Sequence, residues 1–288
     1  MPRLAYVDGR VVPLAAAAVN VEDRGLQFAD SVYEVVAVLN GRLLDWNGHA
    51  TRLARNLGEL GIPVPMTEAA LGLTARRLIA LNRAREALLY IQVTRGTARR
   101  DHAFAAGMRP TLAMTVRPFD FAQRVAQQAK GVAVVTVPDD RWGRCDIKTT
   151  GLLANVLAKQ AARGAGAFEA WLVGRDDTVA EGASTNAWIV AGGVLVTPPL
   201  TSRVLPGVMR AAVIEAAEGL QVRVEERPFA VAEARAADEA LITSTTVPVL
   251  PVVRIDGAPV GDGTPGPVAA RLAGAVWDRI AVQTGYCP

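Results

Sequence analysis

Two turn dipeptides do most to limit what this chain can fold into. Asp8-Gly9 separates Leu4-Ala5-Tyr6-Val7 from Val11-Val12, and Asn40-Gly41 separates the β-branched run Ser31 to Leu39 from Arg42-Leu43-Leu44. Asp-Gly and Asn-Gly accept the positive φ angles of tight turns, so each spacing predicts an antiparallel hairpin. Helical spacing follows over about 46–60, with Leu53, Leu57 and Leu60 on one face, and over about 67–83, with Leu71, Ala75, Leu78 and Ile79. A long strand from Ala87 to Gly96, a polar loop at 97–109 and a strand from Thr111 to Val116 close this first part.

Arg117-Pro118-Phe119-Asp120-Phe121 has no clear period and contains a proline, which predicts a domain linker. Beyond it, strands are expected at 132–137, 168–173, 185–190 and 194–196, then a helix from near Gly207 to before Gly219. Strands near 221–226, 239–244 and 249–255 precede a C-terminal helix at about 265–283. There is no internal repeat and no low-complexity tract.

With 288 residues, 51% of them hydrophobic, the chain can fill one large or two medium cores. No stretch approaches the roughly 20 apolar residues of a membrane span. The N-terminus lacks a basic segment followed by an apolar signal core, so the expected location is cytoplasmic. A formal net charge of +3 is spread over scattered arginines, with Arg76-Arg77 and Arg99-Arg100 the only adjacent pairs. That pattern lacks the electrostatic footprint of a nucleic-acid binder. Cys145 and Cys287 cannot build a disulfide framework or a multi-cysteine zinc site, so no metal is expected, and Cys145 reads as a small packed residue.

Lysine is scarce: Lys130, Lys148 and Lys159 stand against 28 arginines. Arginine stays protonated in a protein, whereas a desolvated lysine can lose its proton and attack a carbonyl. Lys130, before Gly131 at a strand start, and Lys159, beside Gln160 in a helical pattern, occupy ordinary places for solvated charge. Lys148 lies between apolar Ile147 and Thr149-Thr150-Gly151, ahead of a helix carrying Leu152, Leu153, Val156 and Leu157. It is the candidate Schiff-base residue; a helix-capping loop with an exposed lysine is the structural alternative.

The rest of the chain bears on that choice. His49 and Arg52 are three apart on the first long helix, where two donors can converge on an anion. Arg100 and His102, two apart in an extended loop, can point to one side and grip a carboxylate. Glu181-Gly182 puts a carboxylate just before a buried-looking strand, and Leu205-Pro206-Gly207-Val208-Met209-Arg210 starts a helix whose N–H groups and dipole suit a phosphate. Ser244-Thr245-Thr246 adds hydroxyls at a strand end. Each feature alone is common in α/β proteins. Together with a lysine they match pyridoxal phosphate, which needs an amine, a carboxylate that keeps the pyridine nitrogen protonated, and a phosphate cup. Lys148, Glu181, and the set Arg52, Gly207 to Met209 and Ser244-Thr245 supply these.

Val21-Glu22-Asp23-Arg24-Gly25-Leu26-Gln27-Phe28-Ala29-Asp30, Val32-Tyr33-Glu34-Val35-Val36, Gln92-Val93-Thr94-Arg95-Gly96, Arg141 to Lys148 and Glu181-Gly182 resemble the class IV, fold-type IV aminotransferases, and within them those acting on D-amino acids. The resemblance runs from about residue 3 to the final helix. It implies an α/β fold in two domains: an N-terminal α/β domain over 1–118, a linker at 119–123 and a C-terminal pseudo-barrel over 124–288, with cofactor and substrate in the cleft between. It implies that Lys148 carries the cofactor and shuttles the proton to and from the amino acid Cα, and that Glu181 pairs with the pyridine nitrogen. Arg52, the N–H groups of Val208 and Met209, and Ser244 and Thr245 would hold the phosphate, and Leu205 would support the ring. Tyr33, Arg100 and His102 would trap the substrate α-carboxylate, and the protein would be a homodimer.

Ala183 and Met209 stand where that family often has hydroxyls, which removes one or two side-chain bonds to the cofactor and leaves the backbone groups and Arg52. Thr149-Thr150-Gly151 also departs from the family's usual run. A branched-chain L-aminotransferase would share the fold, but usually carries a glycine after the Tyr-Glu pair, where this chain has Val35, and Arg100-x-His102 argues against it. An aminodeoxychorismate lyase would share the lysine and glutamate without needing Tyr33, Arg100 and His102. A non-catalytic binding module would need none of them.

Overall fold

The structure, a computed structural model, describes residues 3–287, which fall into two compact units. The first contains residues up to Asp120 together with Ile147–Gly151 and Val282–Tyr286. It holds β1 (Leu4–Val7), β2 (Arg10–Pro13), α1 (Arg24–Phe28), β3 (Ser31–Leu39), β4 (Arg42–Leu43), α2 (Trp46–Leu60), α3 (Glu68–Leu81), β5 (Ala87–Thr94) and β6 (Thr111–Pro118). The strands form one sheet in the order β2-β1-β6-β5-β3-β4, every pair antiparallel.

Both expected hairpins form. Asp8 and Gly9 take φ of 43° and 87°, and Asn40 and Gly41 take 49° and 75°, the paired positive angles of a primed turn. The two helical periods become α2 and α3, and their apolar faces, with Leu53, Leu57, Leu71 and Leu78, pack with Val32, Val36, Leu89 and Ile91 of the sheet. Alternation along β3 sends Val32, Glu34 and Val36 into buried positions and leaves Tyr33 and Val35 half-buried. A carboxylate therefore occupies a core position of a strand that is otherwise apolar on that face.

The second unit contains Phe121–Asp146 and Leu152–Ala281. It holds α4 (Phe121–Gln128), β7 (Val132–Pro138), α5 (Leu153–Gly164), β8 (Glu169–Val173), β9 (Val179–Gly182), β10 (Asn186–Ala191), β11 (Val194–Thr197), α6 (Val208–Gly219), β12 (Val224–Glu226), α7 (Val231–Ala236), β13 (Glu239–Ser244), β14 (Val247–Ile255), β15 (Ala258–Pro259) and most of α8 (Pro267–Thr284). Its nine strands make one mixed sheet in the order β12-β11-β10-β13-β14-β7-β8-β9, with β15 on β14. The sheet curls so that β9 comes against β10. Val134, Trp171, Ile189, Ile242 and Leu250 fill its core.

The expected linker at 119–123 straddles the division at Asp120, but Phe121 already opens α4 and is buried there. Residues 147–151 cluster with the first unit because their backbone pairs with β3: Tyr33 N donates to Lys148 O at 3.0 Å, Thr150 N donates to Ser31 O at 3.3 Å, and Val32 bridges Thr149. Residues 282–286 join that unit through Gln283, whose side chain exchanges hydrogen bonds with Asp45 at 3.1 and 2.9 Å. Among the described residues no helix is long and apolar enough to cross a membrane.

Candidate active site

In the first unit, β3 organises the candidate residues. The backbone pairing with β3 fixes Lys148 beside Tyr33, and its Nζ lies 4.3 Å from the centroid of the Tyr33 ring. Among the described residues this amine has no hydrogen bond or ion pair, unlike that of Lys159, which donates to Phe168 O at 2.7 Å and pairs with Glu169 at 3.1 Å. Lys130 is exposed. The loop before Lys148 is anchored by buried Ile147, which joins the first unit's core.

Tyr33 stacks on Tyr90 with centroids 5.5 Å apart, and the Tyr90 hydroxyl donates to Gln92 Oε1 at 2.8 Å. Burial, with the Tyr33 phenol adding to it, pushes the Tyr90 hydroxyl up to about 12, so it remains a neutral donor. Ser31 Oγ bonds Thr150 Oγ1 and accepts from Gln92 Nε2 at 3.4 Å. Tyr90, Gln92 and Ser31 thus form a bonded chain that reaches Thr150 of the Lys148 loop, although sequence spacing singled out none of them as part of a site. Their grouping depends on the β3–β5 register, which sets Tyr33 opposite Gln92 and Val35 opposite Tyr90.

On the other face of β3 the structure identifies the anion on which His49 and Arg52 converge: it is Glu34. Arg52 Nε donates to Glu34 Oε1 and Nη2 to Oε2, both at 2.7 Å, and His49 Nδ1 lies 2.7 Å from Oε2. Burial alone would raise this carboxyl, but the charge and hydrogen bonds of Arg52, with those of His49, bring it down to about 2. The Nε–Nη2 edge of the Arg52 guanidinium is therefore set by a carboxylate within the fold.

Arg100 and His102 make contacts different from those of Tyr33. His102 and Phe28 have ring centroids 5.6 Å apart, and the Arg100 guanidinium lies 5.1 Å from the Phe28 centroid. Arg24 carries the loop: Nη1 donates to Asp101 O at 2.6 Å and Nη2 to His102 O at 3.1 Å. Asp30 holds Arg24 and Arg95 together at 2.8 and 2.7 Å, and although burial opposes it, the bonds from Arg95 and Arg24 keep this carboxyl below its ordinary range. Gly96, at φ 104°, closes the neck of the loop, where a Cβ would overlap the carbonyl of Arg109. Among the described residues no hydrogen bond, ion pair or ring contact joins Arg100 or His102 to Tyr33.

In the second unit, Glu181 sits on β9, a strand whose residues show no period separating it from β10. Its Oε2 accepts from Asn186 Nδ2 at 3.2 Å and Leu205 N at 3.1 Å, and its Oε1 is bonded by Arg141 Nη1. Asn186 also donates to Leu205 O at 3.0 Å, which ties the segment before α6 to the start of β10. Gly207 is the N-cap of α6 without any side-chain cap, and a Cβ there would overlap Asn186 Oδ1. Val208 and Met209 therefore open a helix whose N-cap offers no side-chain acceptor to the first-turn N–H groups. The register of β10 and β13 sets Asn186 opposite Thr243, so Ser244 and Thr245 follow directly at that end of the sheet. Ser244 Oγ lies 3.1 Å from Thr246 Oγ1. Cys145 is a packed residue as expected, donating to Trp142 O at 3.1 Å, and burial pushes its thiol up to about 11.

The family model for class IV amino-transferases matches residues 31–255. The D-alanine aminotransferase of Bacillus licheniformis is 40% identical over 277 residues, covering 96% of this chain and 97% of that protein. The D-alanine aminotransferase of Staphylococcus aureus strain MSSA476 is 37% identical over 93% of this chain and 94% of its own length. Among solved structures, the branched-chain amino acid aminotransferase of Escherichia coli superposes with a TM-score of 0.92 at 25% identity, over 99% of this chain and 96% of that one. With a family match across most of its length and relatives of this identity, the chain belongs to the class IV aminotransferases.

Proposed function

We propose that this protein transfers amino groups between D-amino acids, D-alanine and D-glutamate among them, and 2-oxo acids such as 2-oxoglutarate and pyruvate, using pyridoxal phosphate, as a cytoplasmic homodimer. The observation that carries the reading is Lys148: a half-buried amine without an acceptor among the described residues, held against Tyr33 by backbone pairing to β3. The residues present fit the cofactor, since a lysine amine, a carboxylate clamped by an arginine and an uncapped helix start are the donor and acceptor types it needs. The curated relatives named D-alanine aminotransferase support the choice of substrate class.

When bound, pyridoxal phosphate supplies an electron sink for the charge left at Cα. Lys148 would hold it covalently and then move the proton at the substrate Cα. Glu181 would keep the proton on the ring nitrogen, and Leu205 would support the ring. Arg52, the N–H groups of Gly207 to Met209, and the hydroxyls of Ser244 and Thr245 would hold the phosphate. Tyr33, Arg100 and His102 would bind the substrate carboxylate, and so choose which enantiomer presents its α-hydrogen to Lys148. Hydrogen bonds to charged groups contribute roughly 1.5–3 kcal/mol each, enough for a strong preference.

The test is an assay of the purified protein with D-alanine and L-leucine as donors to 2-oxoglutarate. D-alanine should be the far better donor, Arg100→Ala should raise its KM, and Lys148→Ala should lose turnover while remaining folded. Comparable kcat/KM for the two donors would favour a branched-chain L-aminotransferase, the reading that the solved structures' names suggest. Pyruvate release from aminodeoxychorismate without an amino acceptor would favour a lyase.

A further inference from the structure

Arg141 is bonded to two buried carboxylates at once. Its Nη1 reaches Glu181 Oε1, while Nε and Nη2 hold Asp139 at 2.8 and 3.0 Å. The three side chains are almost closed to solvent, at 6%, 6% and 2% exposure for Arg141, Glu181 and Asp139. Nη2 also donates to Arg203 O at 3.0 Å, and Arg203 Nη2 pairs with Asp139 at 2.9 Å, but the Arg203 side chain is 53% exposed. Burial opposes the charge on Arg141, and the bonds to Asp139 and the charge of Glu181 restore it and raise it further. In Asp139 the bonds from Arg141 and Arg203 outweigh burial and hold the carboxyl below its ordinary range.

We propose that Arg141 is the positioning residue for Glu181, keeping that carboxylate ionised and aimed, with Asp139 as the buried anchor that aims Arg141. This rests on reading Glu181 as the partner of the cofactor's ring nitrogen. Without Arg141, two neighbouring buried carboxylates lose their shared cation, which disfavours the charged form of each. A neutral Glu181 could not act as an anionic partner. Asn186 Nδ2 and Leu205 N would still hold Oε2, while Oε1 would lose its bond from Arg141. Lysine at 141 would keep the charge but could not bridge both carboxylates through one planar fork.

The experiment is a double-variant cycle of Arg141→Met and Glu181→Gln, read by the cofactor dissociation constant of the cofactor-free protein across pH and by the rate of the donor half-reaction. Arg141→Met should weaken cofactor binding and slow the half-reaction by about 10- to 100-fold, increasingly toward acid pH. Arg141→Lys should recover part of each. In the Glu181→Gln background the same Arg141→Met change should add less than about twofold. Equal losses in both backgrounds would show that Arg141 does not act through Glu181 and would overturn the proposal, as would wild-type binding by folded Arg141→Met. If Glu181→Gln itself changes neither readout, the reading of Glu181 fails and the proposal falls with it, a result distinct from additivity. Should Arg141→Met not fold, the cycle is run with Arg141→Lys and Asp139→Asn, and additivity there is equally decisive.

Discussion

Each unit of the molecule buries a glutamate against an arginine, and the two are held differently. Glu34 in the first unit is fully enclosed and takes charged or chargeable donors at both oxygens, Arg52 at each and His49 at one. Glu181 in the second has Arg141 at Oε1 and the neutral donors Asn186 Nδ2 and Leu205 N at Oε2. Its arginine is itself shared with a second carboxylate, whereas Arg52 turns its Nε–Nη2 edge to Glu34. A carboxylate in the Glu34 setting is a structural tie that orients the groups around it. In the Glu181 setting one oxygen meets an arginine and the other meets neutral donors at 3.1 and 3.2 Å.

The largest expected effect tests the structural side of this contrast. Glu34→Ala strands a buried guanidinium and should cost about 3–5 kcal/mol, measured as a fall in the urea unfolding midpoint at constant m. A cost below about 1 kcal/mol would erase the distinction between the two glutamates.

A second prediction concerns acid. Because the folded-state value of Glu34 lies below its ordinary one, its contribution is complete above pH 4.5 and is lost as pH falls toward about 2. Urea midpoints measured across that window should decline more steeply for the wild type than for Glu34→Gln. Parallel slopes would assign the acid sensitivity to other carboxylates, with Asp30 and Asp139 next in line.

Glu181→Gln should cost less, about 1–2 kcal/mol, because the amide keeps an acceptor and Arg141 keeps Asp139. Its donor half-reaction should nevertheless slow far more than its stability falls. A variant as unstable as Glu34→Ala but catalytically intact would reverse the two roles. The smallest effect belongs to Arg203→Ala, whose half-exposed pair with Asp139 should be worth less than about 1 kcal/mol in thermal or urea unfolding. A larger loss would mean that the anchor of Arg141 extends to the surface.

Local chemistry made much of the fold legible. Asp8-Gly9 and Asn40-Gly41 announced their hairpins because positive φ at adjacent residues is cheap for few dipeptides, and α2 and α3 announced themselves by period. The helix α4 did not, since Pro118-Phe119-Asp120 hid its start, and β9 did not, since four residues ending in glycine show no period. The short hairpin of β14 and β15 carries its own Asp256-Gly257 signal, at φ of 49° and 82°, which the expectation of a single strand at 249–255 passed over.

For the site, residue chemistry went as far as types and scarcity allow. Lys148 stood out because only three lysines remain among 28 arginines, and Glu181, Gly207 and Ser244 because each sits at a turn or an element end. Sequence alone also established that His49 and Arg52 share a helical face. Which anion they meet was decided by the packing of α2 on β3, across 15 and 18 residues. The bond from Arg141 to Glu181 spans 40 residues, and the pairing of Lys148 with Tyr33 depends on a bridge from β3 to a segment more than a hundred residues later. Ion pairs and strand partners at such separations leave no period or dipeptide in the chain. They exist only once tertiary packing has removed water and brought to each buried charge the neighbours able to compensate it.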